Sequence, residues 1–206
     1  MPRSLIAVSL FALMSAPQVA LAQHDHSAHM APAAASQDVE LKAFFDKFDS
    51  DQLARSPLSK SYRGIKDADY GKWDDFTDAA EAKDHAADMA ALKEMRKRFD
   101  PAKLSPESRL SFRLFEKVRA RSDANFNYRG YGYVYDQMNG AQSQLPAFLI
   151  NIHRVDTKAD AEAYVSRLQG MGTALRQATE QSKARAAKGI LPPKWVYPYV
   201  IADAKN

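Results

Sequence analysis

The chain of 206 residues contains no cysteine. That excludes a disulfide framework, thiol catalysis and cysteine-ligated zinc, so stability must come from packing alone. Long apolar runs are scarce as well. The stretch from Leu5 to Met14 is too short to cross a bilayer core of about 30 Å as a helix. Alternation of apolar and polar residues, the mark of a half-buried strand, is confined to Tyr131 to Tyr135 and Phe148 to Ile152, where a small hairpin is the most that is expected. None of the five histidines (His24, His26, His29, His85 and His153) is followed by glutamate, and no pair in the expected folded part lies one helical turn apart. The H-E-x-x-H arrangement, which puts two zinc ligands and a general base on one helix face, is therefore absent. A surplus of positive charge is lacking too. The net charge is only +4 and the basic residues alternate with acids, as from Lys93 to Asp100, which argues against nucleic acid as a partner.

What is present begins with a targeting pattern. Arg3, the apolar stretch Leu5 to Met14 and the small residues of Ala20-Leu21-Ala22 before Gln23 read as a secretory signal over residues 1–22. Cleavage near Ala22 is expected to release the protein into the periplasm or outside the cell, with no stable membrane anchor. The stretch that follows, residues 23–37, is rich in histidine, alanine and proline and reads as a flexible arm. His24, His26 and His29 are residue types that suit copper or nickel, but such an arm offers nothing to orient them, so no metal site and no cofactor is assigned.

Residues 38–206 read as one helical domain. Leu41, Phe44, Phe45 and Phe48 share a helical stripe that needs a partner surface, and Ser56-Pro57 ends that helix. Thr77 to Phe99 is rich in strong helix formers, with Met89, Leu92, Met95 and Phe99 on one side. Ser105-Pro106-Glu107 is a helix start, and Leu110, Leu114, Phe115 and Val118 are expected to form its buried stripe. Thr157 to Asp160 resembles a capping box, Tyr164, Leu168, Met171 and Leu175 continue the helix it opens, and Gly189 is placed to end it. Gly170 and Gly172 inside that helix read as close-packing sites or a bend. The class is all-α: an irregular bundle of four to five helices with one long tyrosine-rich irregular segment from Asn127 to Val155.

That segment carries the candidate binding residues. Tyr128, Tyr131, Tyr133 and Tyr135, with Asn139 and Gln142, combine aromatic bodies with polar tips, as a groove for a peptide-like ligand does. The plainer reading is that the tyrosines cover helices and Asn139-Gly140 is a tight turn. His85, between Asp84 and Asp88, reads as a surface residue in weak charge pairs, and His153 as a partly buried, hydrogen-bonded one. Asp74 and Asp75 read as capping or surface groups, Trp73 and Trp195 as packing residues. No catalytic residue is assigned.

Several ordered pieces, Arg63-Gly64-Ile65, Trp73-Asp74-Asp75-Phe76, Leu104-Ser105-Pro106-Glu107, Met138 to Pro146, Asp160 to Tyr164 with Arg167-Leu168, and Gly189 to Lys194, together resemble the N-terminal portion of the domain of unknown function 885 family. The resemblance runs from about Ser56 to Asn206. It implies an exported bacterial protein built mostly of helices, whose longer members carry an H-E-x-x-H helix and look like zinc-dependent peptidases. On that basis the chain is expected to be inactive alone and to pair with a missing C-terminal portion of its own fold, as a truncated or separate piece. Exposed apolar surface is then expected around Phe44, Phe45, Phe48 and Trp195 to Ile201. The alternative is a stand-alone periplasmic binding module.

Overall fold

Pro32–Arg55 forms the first helix, α1, which begins ahead of Asp38 within the expected arm. The computed structural model describes residues 32–206; the signal-peptide reading and His24, His26 and His29 lie outside the described residues. Six further helices follow: α2 (Pro57–Tyr62), α3 (Asp78–Arg98), α4 (Pro106–Phe126), α5 (Ala141–Asn151), α6 (Lys158–Ala186) and α7 (Tyr197–Asp203). Short 3-10 turns occur at Pro101–Lys103, Arg129–Tyr131 and Lys194–Val196. The protein is all-α, with no strand among the described residues. Five helices are long and two are short, of 6 and 7 residues. The expected hairpin does not form, because Phe148 to Asn151 lie in α5 and Tyr131 to Tyr135 in turns. Its apolar alternation was too short to separate a strand from a buried helix turn.

Local signals placed most helix ends. Ser56, Thr77 and Ser105 each accept a hydrogen bond from the backbone N–H three residues on, which satisfies one of the donors a helix start leaves open. Thr157 and Asp160 form a complete capping box at the start of α6. After α6, Gly189 takes a φ of +78°, a left-handed conformation suited to glycine, and the Ile190 N–H returns to the Arg185 carbonyl.

One part of the core is an aromatic cluster among α1, α3 and α4. Leu41, Phe44, Leu92, Met95, Phe99, Leu104 and Phe112 are buried there. The phenylalanine stripe of α1 finds its partner inside the chain: Phe115 lies 6.0, 5.3 and 4.9 Å, centroid to centroid, from Phe44, Phe45 and Phe48. These three rings are therefore not the exposed patch expected of them. Of the stripe expected on α4, Phe115 turns inward and the three aliphatic residues do not. Leu110, Leu114 and Val118 are more than half exposed, while Phe112, Phe115 and Arg119 face inward. Arg119 lays its guanidinium over Phe48 and Phe115 and pairs with Asp88, so a charged residue occupies an inward position without an unpaired charge.

The second part of the core joins α2, the loop before α3, α5 and α6, and its centre is Arg167, 0% exposed. Nε donates to the Lys72 carbonyl at 3.0 Å, one terminal nitrogen to Ser61 Oγ at 2.8 Å and the other to His153 Nδ1 at 2.9 Å. No carboxylate lies within ion-pair distance of it among the described residues. The rings of Phe148, Tyr70 and Trp73 surround the cation at 4.8, 5.3 and 5.9 Å. Trp73 donates from its indole N–H to the Arg167 carbonyl at 2.8 Å and fills the space over Gly170, where an added Cβ would meet Trp73 Cδ1 at 3.0 Å. Trp73 and Gly170 are thus close-packing residues.

The arginine fixes the state of its histidine neighbour. A guanidinium has only donors, so His153 Nδ1 must accept, and Nε2–H donates to the Asp160 carbonyl at 3.1 Å. Burial pushes the His153 imidazole below its ordinary value; the bond to Asp160 opposes this and the Arg167 charge adds to it. Lys66 and Asp160 pair beside it at 2.7 Å, which holds the Asp160 carboxyl down at about 2, and Tyr70 and Tyr164 complete the surround. With its proton affinity lower folded than unfolded, His153 leaves stability intact above pH 6.5 and removes it as pH falls below that value. Unfolding stability read from urea titrations is expected to fall from pH 7.5 to 5.5, by no more than about 1.4 kcal/mol per pH unit for this one group. His153→Gln can keep both hydrogen bonds without titrating, and its midpoint should be nearly flat over that range. Equal slopes for the two proteins would show that His153 is not the group responsible.

Candidate functional site

Turn chemistry shapes the tyrosine-rich segment before α5. Asp136 Oδ1 accepts from the backbone N–H of Met138 at 2.6 Å and of Asn139 at 2.5 Å, folding the chain back on itself. Gln142 is buried and donates from Nε2 to the Asp136 carbonyl at 2.6 Å. Gly140 sits between them at the start of α5, where an added Cβ would lie 2.5 Å from Asp136 N and 2.8 Å from Asp136 O, and would also clash with Gln142 Oε1. The glycine is there for closeness of approach, since its φ of −69° is open to any residue.

From this fold the chain lies along the second half of α6. Tyr135 reaches α6 with its hydroxyl, 2.8 Å from Thr179 Oγ1 and 3.3 Å from the Leu175 carbonyl. Arg185, the next-to-last residue of α6, donates to the Gly132 carbonyl at 2.8 Å and to Gln181 Oε1 at 2.9 Å. The Leu191-Pro192-Pro193 strap then returns the chain so that Val196, 3% exposed, is buried and α7 packs on α5. A partly open cavity of about 190 Å³ lies between these pieces, walled chiefly by Tyr133, Tyr135, Pro192, Val196 and Val200. Beside it lies a more polar cavity of about 450 Å³, with Asp78, Arg129, Tyr131, Arg185 and Lys188 on its walls. Arg185 and Ile190 belong to both. The Arg129 guanidinium takes both Asp78 oxygens, at 2.8 and 3.1 Å, and holds that carboxyl below the usual range.

The candidate residues read from the sequence divide here. Tyr133 and Tyr135 line the apolar cavity and Tyr131 the polar one. Tyr128 is 67% exposed and touches neither wall, its ring 6.0 Å from that of Tyr131. Asn139 and Gln142 shape the turn and do not reach either cavity. The residues missing from the sequence reading are Arg185, Val196 and Val200. The Gly189 to Lys194 run was visible, but nothing in its spacing told that it carries the last helix back against Tyr133. Trp195 is 58% exposed, with its ring 6.3 Å from Tyr199, so it does not pack in the core as expected. Tyr197, Tyr199 and Ile201 are also exposed, in line with the apolar surface expected over Trp195 to Ile201.

Neither histidine among the described residues, His85 or His153, fits a zinc ion. Both ring nitrogens of His153 are engaged, by Arg167 and by the Asp160 carbonyl. His85 stacks on Phe126 at 3.9 Å and bonds Asp123 at 3.0 Å, so it pairs with α4 and not with its own neighbours Asp84 and Asp88. No group of three or more histidine, aspartate or glutamate side chains converges among the described residues. Asp74 accepts from the Leu58 N–H at 2.9 Å and from Ser56 Oγ at 2.7 Å, and Asp75 from the Thr77 N–H at 3.0 Å. Both are capping groups at helix starts, as read from the sequence.

The arrangement is an all-helical protein with an aromatic groove at one end of its longest helix. The chain belongs to the family described as bacterial protein of unknown function (DUF885), whose model matches residues 57–206. No curated protein and no solved structure matches it.

Proposed function

We propose that this chain is the non-catalytic, peptide-binding helical portion of an exported peptidase-like protein, with the tyrosine-rich segment and the Trp195 to Ile201 helix forming one wall of a cleft. The observation that carries the reading is the largely apolar cavity between Tyr133, Tyr135 and Val196, bordered by the exposed ring of Tyr197. Such a pocket takes an apolar side chain while the tyrosine tips and the Gly132 to Tyr135 backbone meet a ligand's polar groups. The remaining apolar face of α7 is the surface on which a further portion of the family fold would sit. Release after a signal peptide places the protein in the periplasm or beyond. Among the described residues no helix is long and apolar enough to cross a membrane.

Unstructured peptides rich in apolar side chains are expected to bind the full chain isolated from its host, quench Trp195 emission and remain uncleaved with or without added zinc. Tyr133→Ala should weaken binding by about tenfold, the weight of one buried aromatic anchor. Binding that ignores Tyr133→Ala removes the groove, and cleavage removes the non-catalytic part of the reading.

A second reading, a binding module that stands alone, is favoured by the internal covering of Phe44, Phe45 and Phe48. That end of the protein needs no partner. A single cooperative thermal transition agrees with this reading, and a broad melt counts against it.

A further inference from the structure

We infer that the two adjoining cavities form one site for the C-terminal residue of a peptide, with its side chain in the cavity behind Tyr133 and its free carboxylate against Arg185 and Lys188. This rests on the peptide-binding reading above and narrows it to a ligand class.

Charge separates the cavities at the protein's surface. One of about 660 Å³ at the start of α3 is lined by Asp74, Asp75, Glu81 and Asp84 against Arg55 and Lys83, and repels a carboxylate. The cavity beside Tyr131 has the opposite balance. Its one acid, Asp78, is already held by both arms of Arg129. Arg185 and Lys188 have no carboxylate within ion-pair distance among the described residues. Arg185 uses two of its N–H groups on Gly132 and Gln181, which fixes the guanidinium in place and leaves donors for a ligand. A guanidinium held in this way is suited to a planar carboxylate, because little freedom is lost when the bond forms.

The second half of the ligand is set by the shared wall. Arg185 and Ile190 face both cavities, so a carboxylate at Arg185 lies directly beside the apolar pocket. An apolar group and an anion at that short separation occur together on a terminal amino acid. An internal apolar residue has no carboxylate of its own to offer. A fatty acid carries the same pair of groups, and binding of a simple fatty acid separates it from a peptide terminus.

The test compares acetyl-Ala-Ala-Phe with a free carboxylate, the same peptide as its C-terminal amide, and decanoate, each titrated against the full chain. The acid should bind more tightly than the amide by roughly tenfold to a hundredfold, as expected for hydrogen bonds to a charged group. Decanoate should bind more weakly than the acid. Arg185→Gln should abolish the preference for acid over amide, and Lys188→Gln, at an exposed position, should reduce it without disturbing the fold. Equal binding of acid and amide, both lost in Tyr133→Ala, overturns the carboxylate site and leaves the groove standing. Decanoate binding as tightly as the peptide acid overturns the peptide terminus as the ligand. If no peptide of any kind binds, the groove itself falls, and this inference with it.

Discussion

Arg167→Ala is expected to lower unfolding stability by about 3–5 kcal/mol, the cost of breaking up a buried charged group's set of partners and leaving a cavity. The loss has two sources that can be separated. One is packing: the guanidinium and its stem fill the space among Phe148, Tyr70 and Trp73. The other is polar: without the arginine, the Lys72 carbonyl, Ser61 Oγ and His153 Nδ1 lose their donor in a site closed to water. Arg167→Met keeps much of the packing and none of the donors, so it should fall between wild type and alanine. Arg167→Lys should also be clearly destabilising, because one ammonium cannot reach acceptors spread over α2, the Lys72 loop and the turn after α5. Urea unfolding checks the series, and an unchanged slope with a displaced midpoint marks a true stability change. A loss below about 1 kcal/mol for alanine would mean that these elements are held together without Arg167.

Gly140→Ala is the second large effect, expected at about 1–3 kcal/mol or above, the range for forcing atoms into filled space. The neighbours of the new methyl are the Asp136 N and O atoms, and backbone there cannot swing aside as the end of a side chain can. Relief requires the Asp136 turn to open, which would cost the bonds to Met138 and Asn139 and release Gln142 from the Asp136 carbonyl. The segment that positions Tyr133 and Tyr135 should then loosen, so protease cleavage between Tyr131 and Gly140 should accelerate along with the fall in stability. Gly130→Ala is the control: nothing lies within 4 Å of the added carbon, and its effect should stay within about 0.5 kcal/mol. Similar losses for the two variants would make this a general effect of replacing loop glycine.

The helical class and most helix starts were legible because they depend on near neighbours. Ser105 followed by Pro106 and Glu107, or Thr157 with Asp160, satisfies a helix end within four residues whatever the rest of the chain does. Helix faces were less legible. On α4 the aliphatic residues Leu110, Leu114 and Val118 make a plausible stripe, yet the face that packs is the one whose Phe115 meets three rings of α1. Two stripes a fraction of a turn apart look alike along one helix, and only the partner helix chooses between them.

The candidate site was legible by half. Its aromatic residues were visible as a cluster, and Tyr133 and Tyr135 do face a cavity, whereas Asn139 and Gln142 serve the turn. Arg185 carried no local signal because its partner Gly132 lies 53 positions away, and Val196 and Val200 because they arrive only after the strap at Leu191 to Pro193 has turned the chain back. The sequence by itself determined the helical class, the capped helix starts and the residue types available for chemistry, all of which follow from interactions within a few positions. The tertiary structure alone decided that Arg167 is buried without a carboxylate, that the α1 phenylalanines are covered, and that an apolar and a cationic cavity share one wall. Those outcomes depend on distances between residues far apart in the chain, which close only when the helices pack.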